Sequence, residues 1–484
     1  MLFNSYAFIF IFLPISFGIY FYLNHLRLTT AAKGSLVFAS LFFYSWWNVL
    51  YLPLLLGSML FNFIIGKSLS EAKRVRPKIL LIIGIVGNLA LLGYFKYADF
   101  FIANVNVLLG EDALPMLNLA LPLAISFFTF QQIAYLVDSY KGETNEYDFL
   151  NYAVFVTFFP QLIAGPIVHH KEMMPQFASR WNKVKNYRNI ALGLFIFSMG
   201  LFKKVVIADT FAVWATNGFD KAEVLTFFEA WATSLSYTFQ LYFDFSGYTD
   251  MAIGAALLFN IKLPINFNSP YKALNIQDFW RRWHITLSRF LRDYVYIPLG
   301  GSRTGSFRTH ANLFATFLLG GLWHGAGWTF IIWGALHGLA MVLHRIWSKL
   351  GIVLWKPLAW LVTFMFINMT WVFFRATSFE DAWKVLKGMS GASGVVLPNV
   401  LANRLSFLKN HGVEFGGFVE NIQGDFSIPF WILGALVLVL GFKNTNEKLV
   451  AFNFNLWSAI FVALTFSFGI LSLTKVSEFL YFNF

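Results

Sequence analysis

Charged residues are scarce in this chain. Only 12% of its 484 residues are Asp, Glu, Lys or Arg, whereas 58% are hydrophobic and 20% are aromatic. Ordinary soluble domains carry about 25% charged residues, so this chain has too little charge to coat a surface that faces water. The composition therefore excludes a soluble globular enzyme, a disordered chain and a coiled coil.

Cysteine is absent altogether. This excludes a disulfide framework, a Cys-ligated metal site and a thiol nucleophile. The sequence also lacks a Walker loop, a GxGxxG fingerprint, a GxSxG elbow and an HExxH motif. We therefore expect no ATP-driven pump, no metal site and no tightly bound cofactor. A secretory cleavage signal is missing too, so the first apolar run, Tyr6 to Leu23, is predicted to be a retained membrane anchor.

What the chain does contain is a series of long apolar runs. The run from Ile79 to Phe95 is apolar apart from Asn88. Strands of an outer-membrane barrel would alternate apolar and polar residues, whereas an uninterrupted run of this length predicts a transmembrane helix. The sequence thus predicts an all-α polytopic integral membrane protein.

Basic residues concentrate in three of the connections between these runs. Residues 67–78 contain five basic side chains and one acidic side chain, and residues 169–188 contain the same numbers. Residues 262–310 contain eight basic and two acidic side chains. Because such connections stay in the cytoplasm, we expect the N-terminus to be extracytoplasmic. The nearly neutral stretch 391–427 is predicted to be an extracytoplasmic loop.

The apolar runs predict about 11–13 membrane segments in one transmembrane domain, 1–484. The candidate spans are 5–24, 34–50, 50–66, 79–96, 116–139, 150–168, 189–216, 226–246, 311–344, 352–374, 428–442 and 452–473. Successive connections can alternate between the two sides of the membrane only if 150–168 enters and leaves on the same side. The segment 311–344 must in addition cross the membrane twice. Gly165-Pro166 and the glycines between 320 and 327 would provide the breaks. Such breaks are tolerated where protein or a watery cavity satisfies the backbone, so we expect a cavity or tunnel.

The basic connection 262–310 contains one segment with helical periodicity. Its aromatic and aliphatic residues between 275 and 298 recur every three or four positions, which predicts a single amphipathic helix on the inner leaflet. His284 falls on its apolar sector. Arg281 and Arg282 fall elsewhere and would bind either anionic lipid or a phosphate-bearing acyl donor.

His324 is the most informative polar residue. It lies in the apolar, glycine-rich stretch 320–328, where an imidazole is uncommon and usually faces a bundle interior or a polar path. A near-neutral pKa suits a histidine for general-base work on a hydroxyl. A structural histidine that is hydrogen-bonded to a neighbouring helix is the equally weighted alternative. His337 and His344, further along the same run, are predicted to be packing and interfacial residues.

Two groups of charged residues also fall at apparent membrane depth. Lys203-Lys204 and Asp209 would either pair internally or mark a bend after Gly200 with the lysines reaching toward the interface, and the bend is the favoured interpretation. Asp244 and Asp250 flank Ser246, at which the helix is predicted to break. These residues would be either a structural polar cluster or part of a polar cavity.

Several stretches of the chain form a recognisable combination of motifs. They are the opening 1–5 with 12–14, FFPQLIAGPI at 158–167, YFDFSGYTDMAIG at 242–254, DFWRRWHITLS at 278–288 with YIPLGG at 296–301, LWHG at 322–325, WVFFR at 371–375 and the closing 479–484. Together these stretches resemble the membrane-bound O-acyltransferase (MBOAT) family, in particular its bacterial alginate O-acetyltransferase-like branch.

The resemblance implies a fold and an activity that the residues alone do not show. The fold would be a ring of tilted and re-entrant helices around a transmembrane tunnel in a bacterial cytoplasmic membrane. His324 would be the essential histidine and His284 the second signature position. The donor would be a cytoplasmic acyl thioester, acetyl-CoA or the phosphopantetheine arm of an acyl carrier. The acceptor would be an extracytoplasmic polysaccharide, reached through an exported partner protein. Membrane lipids but no nucleic acid would be partners.

The resulting hypothesis is O-acetyl transfer with His324 as general base and His284 as a group that orients the donor or stabilises the oxyanion. The residues predicted to bind substrate are Trp323, Gly325, Trp283, Arg281, Arg282, Asp244, Ser246 and Asp250. D-alanyl transfer to teichoic acid from a carrier protein is one alternative. A transporter or flippase that makes no bond is the other, although it leaves Trp323-His324-Gly325 without a role.

Overall fold

The computed structural model describes residues 1–71, 76–110, 113–144, 146, 148–473 and 480. Part of the first basic connection, including Lys73 and Arg74, lies outside the described residues, as does the closing stretch 479–484 apart from Leu480. The chain divides into two compact units. Unit 1 comprises 1–202, 247–266 and 449–484, and unit 2 comprises 203–246 and 267–448.

The described chain is mostly helical, as predicted. The helices up to residue 202 are α1 (Leu13–His25), α2 (Thr29–Ser45), α3 (Leu52–Ser70), α4 (Pro77–Leu109), α5 (Ile125–Tyr140), α6 (Phe149–Thr157), α7 (Phe159–Leu162), α8 (His170–Ala178) and α9 (Tyr187–Phe202). The elements that follow are α10 (Asp209–Thr216), α11 (Phe227–Leu258), α12 (Ile276–Arg282), α13 (Ile285–Leu291), α14 (Ser306–His324), α15 (Trp328–Lys349), α16 (Lys356–Arg375), α17 (Phe379–Met389), β1 (Val395–Pro398), β2 (Val413–Gly416), α18 (Ile428–Gly441), α19 (Thr445–Val450) and α20 (Leu456–Leu471).

Among the described residues, six helical runs are long and apolar enough to cross a membrane. They are Ala7–His25, Val49–Ser70, Pro77–Leu109, Tyr187–Lys221, Trp328–Lys349 and Lys356–Arg375. Two shorter apolar helices, α18 and α20, also occur. The chain is therefore a multi-pass membrane protein. The loop predicted at 391–427 contains a small parallel sheet in which β1 pairs with β2, with Val395 opposite Val413.

In unit 1 the predicted break in 150–168 is present. The α6 helix ends at Thr157, and the chain leaves regular structure after the short α7. The carbonyl of Phe155 near this break accepts hydrogen bonds from the side-chain amides of Gln131 (2.8 Å) and Gln161 (2.6 Å). Side chains therefore satisfy backbone groups that the break exposes, as an apolar environment demands.

In unit 2 the predicted double crossing of 311–344 corresponds to a helical hairpin made of α14 and α15. The chain turns at residues 325–327, whereas Gly320 and Gly321 lie inside α14 and do not break it. A Cβ on Gly321 would meet the carbonyl of Phe330, and one on Gly334 would lie 2.6 Å from the carbonyl of Phe317. These glycines therefore let the two helices pack with their backbones in contact.

The prediction of one amphipathic helix over 275–298 is wrong. The helix α12 ends at Arg282, and α13 begins only at Ile285 and continues into a π-helical turn at Arg292–Tyr296. Between them His284 adopts the left-handed conformation, with φ 43° and ψ 54°. A non-glycine residue in that region interrupts a right-handed helix and is strained. The apolar periodicity continues across both helices, but such a pattern cannot reveal that a single residue adopts left-handed backbone dihedral angles.

The predicted helix break at Ser246-Gly247 is also wrong. The helix α11 runs without interruption from Phe227 to Leu258. Within unit 1, a Cβ on Gly200 of α9 would collide with the carbonyl of Gly247 and lie 2.7 Å from the amide nitrogen of Met251. The small residues at this point of the sequence therefore serve close helix packing and do not end the helix.

Candidate active site

His324 is the last residue of α14, and it is buried, with 4% of its surface exposed. Three aromatic rings surround its imidazole, with ring centroids at 4.8 Å for Trp323, 5.1 Å for Trp333 and 5.0 Å for Phe374. A Cβ at Gly325 would collide with the ring of Phe330. Position 325 is therefore restricted to glycine, because any side chain there would displace the ring beside the turn.

His284 lies near His324 and is fully buried. The centroids of the two imidazoles are 6.5 Å apart, and the ring of Phe245 stands edge-on to His284 at 4.9 Å. The residue lies outside the six candidate membrane-spanning helices. Burial lowers the pKa of His284 to about 3. It is consequently a neutral imidazole at physiological pH, able to donate from one nitrogen and accept at the other.

His324 lines a cavity of about 570 Å³. The residues that line it lie on α12, α13, the turn that follows, α14 and α15: Gln277, Trp280, Leu287, Ser288, Leu291, Arg292, Tyr296, Ser302, Leu313, Thr316, Phe317, Gly320, His324, Trp333, Met341, His344, Arg345, Ser348 and Lys349. His324 and Trp333 are buried, whereas Arg292 and Lys349 are exposed. The cavity therefore leads from a solvent-exposed mouth to the imidazole of His324.

Cationic side chains surround the exposed mouth of this cavity. Arg292 is paired with Asp293 through two contacts, at 2.7 Å and 3.1 Å. The Lys349 ammonium donates to the hydroxyl of Ser306 at 3.4 Å. Arg345 is half-buried and forms no ion pair with any residue that the structure describes. A half-buried guanidinium that is not engaged in an ion pair is suited to bind a phosphate.

The arginines predicted to bind the donor do not line this cavity. Arg282 is paired with Asp278 at 2.9 Å and donates to the carbonyl of Asn268 at 3.3 Å. Arg281 is exposed. Trp283 is buried among aromatic rings, with Phe267 and Trp371 both at 5.0 Å, so it supports the site and does not line the cavity.

The charged residues at depth form a buried ion cluster. Lys204 is 2.8 Å from a carboxylate oxygen of Asp209 and 2.6 Å from one of Asp244. The favoured interpretation of a bend with lysines reaching outward is therefore wrong for Lys204, and internal pairing is confirmed. A π-helical segment, Lys203–Ala208, accommodates the cluster. A lone buried charge would be costly, so removal of one partner of this cluster would destabilise the protein.

The remaining predicted substrate-binding residues are dispersed. Asp244 is occupied by the ion cluster with Lys204. Ser246 is buried two residues further along α11 in unit 2, and Asp250 is buried in the part of α11 that belongs to unit 1. Of the predicted residues, the structure brings His284, Trp323, His324 and Gly325 together.

His337, on α15, has a purely structural environment. It accepts a hydrogen bond from Trp280 Nε1 at its Nδ1 (3.2 Å), and its Nε2 lies 3.1 Å from the hydroxyl of Thr370. The indole nitrogen can only donate, so the proton of His337 resides on Nε2 and points to Thr370. That hydroxyl donates in turn to the carbonyl of Ile367 at 2.9 Å. The prediction that His337 is a packing residue is confirmed.

Sequence reasoning missed the residues of the cavity wall on α15. Trp333, Met341, Arg345 and Lys349 line the cavity and recur at multiples of about four residues, which places them on one helix face. Following that face downstream from the glycine turn would have identified Arg345. Trp333 carried no comparable signal, because one tryptophan among many apolar residues is most simply interpreted as core.

Comparison with known proteins identifies the family of this chain. The model of the membrane-bound O-acyltransferase family matches residues 83–382. A peptidoglycan O-acetyltransferase of Helicobacter pylori is 51% identical over all of this chain and 98% of its own length. A Pseudomonas aeruginosa protein named probable alginate O-acetylase AlgI is 44% identical over 80% of this chain and 75% of its own. A teichoic acid D-alanyltransferase of Bacillus subtilis is 28% identical over 55% of this chain and 71% of its own length. The chain thus belongs to the membrane-bound O-acyltransferase family, as the sequence motifs predict, and is an acyltransferase.

Proposed function

We propose that this protein moves an acetyl group from a cytoplasmic thioester across the bacterial inner membrane, where it is used to O-acetylate an extracytoplasmic polysaccharide. Two relatives that are 51% and 44% identical are named for O-acetylation of peptidoglycan and alginate, which supports an acetyl group and a polysaccharide acceptor. The observation that carries the proposal is the cavity that leads from a cationic mouth to His324.

The donor is a phosphate-bearing thioester, acetyl-CoA or an acetylated phosphopantetheine arm. Its phosphates bind Arg345 and Lys349 at the exposed mouth, and its thioester reaches the buried imidazole. Along α15, sixteen residues separate Trp333 from Lys349, a rise of about 24 Å. The donor must therefore present its thioester at the end of a long, narrow arm, as phosphopantetheine does. Basic residues favour the cytoplasmic side. This orientation places the mouth in the cytoplasm and the N-terminus outside.

At the buried end, His324 acts as general base. Its imidazole takes the proton of an acceptor hydroxyl while the oxygen attacks the thioester carbonyl. The tetrahedral intermediate collapses, the carbon–sulfur bond breaks, and the imidazolium returns the proton to the departing thiolate. The products are an O-acetyl ester and a free thiol, with no net release of protons. His284, neutral and 6.5 Å from His324 between ring centroids, positions the donor or the attacking hydroxyl through a hydrogen bond.

The acceptor hydroxyl approaches from the extracytoplasmic side, and an exported partner protein completes delivery to the polysaccharide. D-alanyl transfer is the second candidate, because a teichoic acid D-alanyltransferase is 28% identical over 55% of the chain. The higher identity to O-acetyltransferases over a larger share of the chain favours acetyl.

The experiment is transfer by the full chain reconstituted in lipid vesicles. Acetyl-CoA with a labelled acetyl group is supplied with polysaccharide acceptor and with the exported protein from the same organism, and the acceptor is analysed by mass spectrometry. A labelled ester on the acceptor is expected. D-alanyl-loaded carrier protein serves as the competing donor. Label that crosses the membrane without a new ester would identify a transporter and refute the proposal.

A further inference from the structure

Trp333 is a cavity residue whose polar atom has no role in the fold. Its side chain is 1% exposed and lines the cavity together with His324. Within the described parts of the chain, its indole Nε1–H has no hydrogen-bond partner. An indole nitrogen can only donate, and a buried donor that is left unsatisfied is destabilising because its hydration is lost without replacement. Native structures contain few such groups, and each calls for an explanation.

The neighbouring Trp280 provides a matched contrast. Both indoles line the same cavity, and their rings lie 5.8 Å apart. The Trp280 N–H donates to His337 at 3.2 Å, so it is committed to the fold. The two neighbouring indoles therefore differ in the use of their N–H groups: that of Trp280 is committed to His337, whereas that of Trp333 is available for a ligand.

The ring of Trp333 is held firmly beside His324. It stands at 87° to the imidazole, with centroids 5.1 Å apart, and it stacks on Trp371 at 5.8 Å with an angle of 16°. Phe374 packs against it at 5.0 Å. An N–H group that is fixed in place before substrate binds does not have to move when negative charge develops on a nearby oxygen.

We propose that the Trp333 Nε1–H binds the carbonyl oxygen of the donor thioester and stabilises the oxyanion that forms on it. The inference rests on the proposed transfer at His324. When the acceptor oxygen adds to the carbonyl carbon, the π-electrons of the carbonyl move to its oxygen, which accepts the indole hydrogen bond. When the carbon–sulfur bond breaks, the carbonyl reforms, the thiolate leaves, and Trp333 is unchanged.

Donor analogues test this assignment without turnover. One probe is the ketone analogue of acetyl-CoA, in which methylene replaces sulfur. The second is the alkyl analogue, in which methylene also replaces the carbonyl. Binding of each is measured by calorimetry on the full chain in lipid nanodiscs. The unaltered protein should prefer the ketone about tenfold, which is the effect of one hydrogen bond of about 1.4 kcal/mol.

The variants separate the N–H from the shape of the ring. Replacing Trp333 with β-(3-benzothienyl)alanine keeps the bicyclic ring and removes only the N–H, while Trp333→Phe is the natural counterpart. Both should lose the ketone preference, and kcat should fall about 10²–10³-fold, as for removal of one oxyanion donor. Trp280→Phe removes an N–H that is already committed, so the ketone preference should persist.

The outcomes distinguish this inference from the function on which it rests. An unchanged ketone preference in the benzothienyl variant overturns the role of Trp333 while leaving the proposed transfer intact. Failure of the unaltered protein to bind either analogue overturns the proposed donor and this inference with it. If Trp280→Phe loses the ketone preference and the Trp333 variants keep it, the thioester carbonyl is bound by Trp280 and the proposal is refuted.

Discussion

Two histidines on one helical hairpin have opposite environments. His324 ends α14 beside the glycine turn, lines the cavity and is surrounded by aromatic rings. His337 lies thirteen residues later on α15, where Trp280 and Thr370 occupy both of its ring nitrogens. Both are buried, so burial alone does not distinguish a candidate base from a structural histidine. Access to the cavity does, because His324 lines it and His337 does not.

The largest expected effect concerns the cavity histidine. His324→Ala should lower the rate of acetyl transfer by about 10⁴-fold, because general-base catalysis contributes up to that factor. The measurement is labelled acetyl transfer per molecule of purified protein, with circular dichroism and gel filtration to verify folding. His324→Gln, which keeps polarity but cannot act as a base at neutral pH, is the matched variant. Transfer within tenfold of the parent rate in a folded variant would remove His324 from the chemistry.

The second expected effect comes from His284, which extends the comparison to a third buried imidazole. Burial lowers its pKa from the ordinary 6.5 to about 3. As the pH falls, His284 is therefore protonated in the unfolded chain at a higher pH than in the folded protein. The contribution of His284 to stability is therefore complete above about pH 6.5 and is lost progressively down to about pH 3. The loss is about 1.4 kcal/mol per pH unit within this window.

Thermal unfolding between pH 7.5 and 4.5 measures this dependence. His284→Gln cannot titrate, so its melting temperature should fall less steeply with acidification than that of the parent. Replacing the exposed His25 with Gln is the control and should reproduce the slope of the parent. If the parent and His284→Gln show the same slope, then His284 does not remain neutral inside the protein.

The third expected effect concerns the structural histidine. His337→Leu roughly preserves volume but leaves the Trp280 N–H without its acceptor, at about 1–3 kcal/mol. It also removes one hydrogen bond of the Thr370 hydroxyl, which keeps its bond to the carbonyl of Ile367. The melting temperature should fall by several degrees, whereas transfer per folded molecule should fall less than tenfold. A rate loss as large as that of His324→Ala at unchanged stability would mean that the two histidines have exchanged roles.

These contrasts show how much the sequence could predict. The membrane class, the helical hairpin at 311–344 and the buried position of His324 at a cavity follow from apolar runs, glycines and a lone imidazole, which are all local signals. The pairing of Lys204 with Asp244 could not be predicted, because forty residues separate them and only the packed helices bring them within 2.6 Å. The left-handed His284 was also missed, since periodicity is insensitive to the backbone hand of one residue.

The smallest expected effect tests the mouth of the cavity, where sequence and structure point to different cations. Sequence reasoning favours Arg281 and Arg282, whereas the cavity wall contains Arg345 and Lys349. Arg345→Gln with Lys349→Gln should raise the KM for acetyl-CoA about 5–30-fold, the loss expected for charge-assisted contacts to phosphate worth about 1–2 kcal/mol, with kcat nearly unchanged. The KM of the double variant should also depend less on salt, because fewer charges remain to be screened.

The control variant replaces two exposed cations of the loop 391–427, Arg404 and Lys409, with Gln, which removes the same charge away from the cavity. Its KM should match that of the parent. The decisive comparison is with Arg281→Gln and Arg282→Gln together. If that pair raises the KM and the Arg345/Lys349 pair does not, the donor docks on the α12 arginines as the sequence suggests, and the cavity mouth is not its entrance. The reverse result makes the α15 cations the docking site, so that a single helix contributes both the cations that bind the donor and the indole beside the reacting carbonyl.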